Sequence, residues 1–129
     1  GYLRAIRTEL ALSPFLRELA ICVVARLTGA QYEYHHHAPE LKQAGATDAQ
    51  LAVLDDPDAA ATSVLYDDLQ RAVIRFAIAS TREVKIPARL FEELKQRLPP
   101  NELVELVAAT ATYNMVARFL VALEIVPEG

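Results

Sequence analysis

Ser13-Pro14-Phe15-Leu16-Arg17-Glu18-Leu19-Ala20-Ile21-Cys22-Val23-Val24 and, a little further on, Gln31-Tyr32-Glu33-Tyr34-His35-His36-His37-Ala38-Pro39 decide how this chain folds. Serine followed by proline is a strong helix start, with serine as N-cap and proline at the first helical position. The helix from Pro14 is predicted to run to about Thr28 and stop at Gly29. A second helix, Gln31–Ala44, ends at Gly45. Pro39 falls inside it, where its ring clashes with the His35 carbonyl, so a kink or break is expected near His35–Pro39. Glu33 and His37 are four residues apart and share one helical face. If the first helix packs antiparallel, Glu18 reaches the same spot. Two carboxylates and an imidazole in one cavity can move protons, which makes this the candidate site.

Working outward, Thr47-Asp48-Ala49-Gln50 reads as a capping box opening a short helix to about Leu54. Asp55–Ser63 reads as a polar turn region. A long helix is predicted over about Tyr66–Thr81, with Leu69, Val73, Phe76 and Ala77 on one face. Pro87 opens another helix, to Leu98. Pro99-Pro100-Asn101 is expected to end it and to cap the last helix, Glu102–Ile125. Gly1–Leu12, with Arg4, Arg7 and Glu9, has an amphipathic helix pattern. No strand alternation, repeat or low-complexity segment interrupts this order. The expectation is an all-α bundle of six or seven helices, one domain over residues 1–129. The chain opens on glycine rather than methionine, which leaves room for a missing N-terminal segment.

Composition agrees with this class. Of 129 residues, 53% are hydrophobic, glycine is scarce and tryptophan absent, which suits helices that bury further apolar surface between subunits. The formal net charge is −4, with acidic and basic groups interspersed. There is no basic stripe of the kind that neutralises phosphates, so nucleic acid is not an expected partner. A single cysteine, Cys22, rules out an intrachain disulfide and a CxxC motif. Inside an apolar run it reads as a small core residue in a reducing compartment, hence a cytoplasmic protein. No signal peptide is visible. The apolar stretch Leu103–Val126 carries Glu105, Asn114, Arg118 and Glu124, a pattern for a buried bundle helix rather than a membrane span.

Three consecutive histidines cannot all ligate one metal from a regular helix, because successive residues turn by about 100°. Glu33, His37 and Glu18 could supply three ligands, but carboxylate sites in bundles use a fuller set, so the site is read as metal-free. Solvated histidines and glutamates at a helix bend need no purpose. Glu18, however, borders a uniformly apolar run and must be paired or protonated if buried. Cys22, four residues after Glu18, could line the same cavity but is read first as core. On the last helix, Asn114 and Arg118 are four apart, with Tyr113 beside them. An arginine there needs a carboxylate: Glu18 or an acidic residue of a neighbouring subunit first, an anionic substrate second.

The segments Leu16-Arg17-Glu18-Leu19-Ala20-Ile21, Gly29 to Pro39, Ala44-Gly45 and Tyr113-Asn114-Met115-Val116-Ala117-Arg118 resemble the carboxymuconolactone decarboxylase family, which shares its fold with the AhpD-like alkylhydroperoxidases. The resemblance implies an AhpD-like bundle assembled as a trimer or hexamer. In the peroxidases the motif is a glutamate, a CxxC pair and a histidine four residues after its second cysteine. Registered on His37, Glu18 falls at the relay glutamate, while Ala30 and Glu33 stand where the cysteines would be. Thiol peroxidase chemistry lacks its attacking and resolving thiols. The decarboxylase branch is similar in keeping the glutamate–histidine pattern without that pair. It implies cofactor-independent release of CO₂ from a small carboxylated lactone. His37 would be proton donor, Glu33 its orienting partner and Glu18 the relay, with Arg118, Tyr32, His36 and Asn114 as substrate-binding candidates. A non-catalytic oligomeric domain binding a small ligand in the same pocket is the alternative, and peroxidase activity ranks last.

Overall fold

The chain's start and stop signals produce seven helices and no strand among residues 11–127, the part described in the computed structural model. They are α1 (Pro14–Thr28), α2 (Gln31–Gln43), α3 (Asp48–Val53), α4 (Pro57–Ala60), α5 (Asp68–Glu83), α6 (Ala88–Arg97) and α7 (Pro100–Ala122). The amphipathic pattern over Gly1–Leu12 lies largely outside the described residues; Ala11 and Leu12 precede α1 without helical structure.

Ser13 caps α1 by accepting a hydrogen bond from the Leu16 N–H. Gly29 ends the helix at φ 70°, a left-handed conformation that costs a residue with a Cβ about 1 kcal/mol. Thr47 with Gln50, and Asp67 with Gln70, form reciprocal capping boxes at α3 and α5.

Three expectations need correction. Helix α2 runs unbroken through Pro39, because the missing N–H leaves only the carbonyl of exposed His35 without its backbone partner, and water reaches it. Part of the Asp55–Ser63 turn is helical: the Asp56 side chain accepts from the Ala59 N–H and Pro57 takes the first position of α4. Helix α7 begins at Pro100 rather than Glu102 and ends at Ala122. Asn101 therefore sits in its first turn instead of capping it.

Helix α1 is the centre of the molecule, packed against α2, α5 and α7. Residues Leu19 to Ala25 are all buried, so its apolar run is apolar on every side because every side meets protein. Leu41, Leu54, Tyr66, Ile74, Phe76, Leu94 and Leu106 complete the core. By length and composition α7 could cross a bilayer. Its polar groups are tied to the rest of the fold: the Glu105 carboxylate accepts the N–H groups of Ala11 and Leu12, and Asn114 and Arg118 bond to Thr81 of α5.

Candidate functional site

Antiparallel packing of α1 on α2 brings Glu18, Glu33 and His37 together, all three buried. Glu18 Oε2 lies 2.8 Å from His37 Nδ1, and Glu33 Oε2 lies 3.1 Å from His37 Nε2, one helical turn away. Glu40, three residues on, brings its Oε2 to 3.4 Å from Nδ1. A neutral imidazole has one N–H and one lone pair, whereas a carboxylate only accepts. With a carboxylate oxygen at each ring nitrogen, the arrangement needs an additional proton, on the ring or on a carboxyl group.

The electrostatics agree. Burial pulls the His37 imidazolium down, but hydrogen bonds and charge from Glu18 and Glu33 outweigh it and hold the group at about 9. Burial raises the Glu18 carboxyl, opposed by the His37 hydrogen bond and reinforced by Glu40. Arg17 adds a positive charge, its Nε 3.9 Å from Glu18 Oε1 and without a hydrogen bond among the described residues.

The cluster opens on a cavity of about 270 Å³ lined by Tyr32, Glu33, His36, His37, Glu40, Tyr113 and Val116. The Tyr113 ring meets His37 edge-on at 5.1 Å between centroids, and Tyr32 lies 4.5 Å from the His36 ring. Tyr32 and His36 thus line the cavity as expected, with His36 exposed toward solvent. Asn114 and Arg118 do not join it. Arg118 donates to Asn114 Oδ1 at 2.6 Å and to the Thr81 carbonyl at 3.1 Å, beside a separate cavity that it lines with Leu27, Thr28 and Thr81. The expected Arg118–Glu18 ion pair is absent because Glu18 is engaged by His37, and α7 presents Arg118 to the end of α5. Cys22 is fully buried in the core and does not line the cavity; burial pushes its thiol up.

Sequence reasoning missed Glu40 and gave Tyr113 no role. Glu40 is seven residues after Glu33 and three after His37, a spacing that places it on the same face. The break expected at Pro39 concealed that signal. As possible metal ligands, Glu18, His37 and Glu40 present donor atoms all within 4.8 Å of one another.

The described residues form an all-α bundle of the AhpD-like fold, with a buried glutamate–histidine pair between its first two described helices. The sequence model of the carboxymuconolactone decarboxylase family matches residues 1–64, which include Glu18, Glu33, His37 and Glu40. Over those residues the chain fits that family. No curated protein matches its sequence. Among solved structures it resembles a protein of unknown function from Agrobacterium tumefaciens, provisionally described as an antioxidant defence protein AhpD. The two share 18% identity at a TM-score of 0.85, over 98% of this chain and 86% of that one. At that identity the likeness establishes the shared fold.

Proposed function

We propose that this protein is a cofactor-independent acid–base enzyme that releases CO₂ from a small carboxylated lactone or related acid. The observation that carries the reading is His37, buried, bracketed by Glu18 and Glu33, and facing a cavity of about 270 Å³. Breaking the bond to the carboxyl carbon leaves the electron pair on the substrate, delocalised into the lactone carbonyl. His37 gives a proton to the resulting carbon, and CO₂ departs. Glu33 fixes the ring orientation, and Glu18 returns a proton to Nδ1. The substrate and one proton become the decarboxylated lactone and CO₂, so no redox partner is required.

Arg118 lies outside the cavity, so the substrate carboxylate falls to Tyr32 and His36, donors at its outer edge. Thiol peroxidase activity is disfavoured because the single cysteine, Cys22, is buried with its thiol raised. Assembly into a homo-oligomer is part of the proposal. Val104, Met115 and Phe119 on α7 are each more than 60% exposed, a row of apolar side chains suited to burial against a second copy. Nucleic acid, membrane, metal and cofactor have no part in the proposed reaction, and a cytoplasmic location suits it.

The test is CO₂ release from carboxymuconolactone by the purified chain. Turnover should fall by about two orders of magnitude or more in His37→Gln. Absence of turnover, or turnover indifferent to His37→Gln, overturns the reading.

A further inference from the structure

Glu18, His37 and Glu40 present donor atoms all within 4.8 Å of one another. Two carboxylates in that relation repel unless a cation lies between them, whether a proton or a metal ion. The third carboxylate, Glu33, sits on the opposite ring nitrogen. Three acceptor-only groups therefore surround one imidazole, and a metal ion in place of the Nδ1 proton answers the same negative charge.

We infer that Glu18 Oε2, His37 Nδ1 and Glu40 Oε2 form a binding site for a divalent transition-metal ion such as Zn²⁺. Ligands at about 2.1 Å in tetrahedral array stand about 3.4 Å apart. The Nδ1–Glu40 separation is 3.4 Å, and the Nδ1–Glu18 separation of 2.8 Å has only to open by about 0.6 Å. Glu40 is partly exposed and sits at the cavity, so the ion can enter and keep its fourth position for water. Glu33 supplies what a metal-bound histidine requires on its far side, a carboxylate that accepts the other ring N–H and fixes the tautomer. One imidazole with oxygen donors suits Zn²⁺ among the available ions. The ion takes the Nδ1 lone pair and the Glu18 oxygen, so occupancy and the proton relay exclude each other. Zinc is thus an inhibitor of the proposed reaction.

The experiment is calorimetric titration of ZnCl₂ into the chelator-stripped chain at pH 7.5, for wild type, Glu40→Gln and His35→Asn/His36→Asn. One ion per chain is expected, with affinity reduced at least about tenfold in Glu40→Gln and within about twofold of wild type in the double variant. Glu40 is partly exposed, so its variant keeps the fold, which far-UV circular dichroism checks. Failure of wild type to bind, unchanged affinity in Glu40→Gln, or loss of binding in the exposed-histidine variant overturns the site. Because binding is read without substrate, it stands or falls separately from decarboxylation.

Discussion

Glu18 Oε2 and His37 Nδ1 meet at 2.8 Å across the α1–α2 interface, nineteen residues apart in sequence and both shielded from solvent. Such a contact ties the site to the fold, because the pair closes only when the two helices dock. Removing Glu18 takes the closest carboxylate from a buried imidazolium, a loss of up to about 3–5 kcal/mol that Glu33 and Glu40 offset only in part. Glu18→Leu alone is therefore expected to lower stability severely, and Glu18→Leu/His37→Leu to recover much of the loss while abolishing turnover. Urea unfolding of both variants measures this. A double variant no more stable than the single one would show that the pair contributes more than it costs to bury.

Stability should fall as pH rises. The folded-state value of His37, about 9, lies above its ordinary 6.5, so protonation favours the native state. Its contribution is full below about pH 6.5 and disappears as pH climbs through about 9, an effect of up to about 3 kcal/mol. Glu18 acts in the same direction at lower pH, since burial raises its carboxyl and ionising it favours the unfolded chain. Urea midpoints between pH 6 and 10 should drop for wild type and stay flatter for His37→Gln. Parallel curves would show that His37 is not the group responsible.

The capping boxes are the simplest features to test. Asp67→Ala leaves the Gln70 N–H without its side-chain partner and should cost about 1 kcal/mol, with no change in turnover. A loss below a few tenths would mean that water replaces the cap.

Helix ends of this kind were legible because each depends on two or three neighbouring residues: Ser13-Pro14, Gly29, Thr47 with Gln50. Glu18, Glu33 and His37 were legible because one pair is fixed by helical spacing, and the third needs only antiparallel docking. Arg118 was not. Whether it faces Glu18 or Thr81 depends on the axial position of α7 against α5, which no local pattern encodes. Glu40 was hidden by treating Pro39 as a break, although one lost hydrogen bond at an exposed carbonyl does not end a helix already held on its buried face.

Cys22 separates the chemistries of the family. It lies in the packed core, with burial, then the charge on Glu18, raising its thiol. Native protein should resist labelling by a disulfide reagent and react fully only when unfolded. Cys22→Ser should destabilise by about 1–3 kcal/mol, as a buried hydroxyl lacks the partner a thiol can do without. Peroxide reduction that disappears in a still-folded Cys22→Ser variant would revive the peroxidase reading.

The α7 surface gives the last prediction. Phe119 is 64% exposed and Met115 61%, four residues apart on one face with Val104 further along the helix. Two such side chains removed from water contribute several kcal/mol to association at about 25 cal/mol per Å². Phe119→Glu adds charge at the same place and should convert an oligomer to monomers in light-scattering chromatography. The helix itself should persist, because the substituted side chain is largely exposed and glutamate is a good helix former. Wild type eluting as a monomer at micromolar concentration would refute assembly through this face. Monomers that still turn over substrate would show that each chain's cavity is complete without a neighbour.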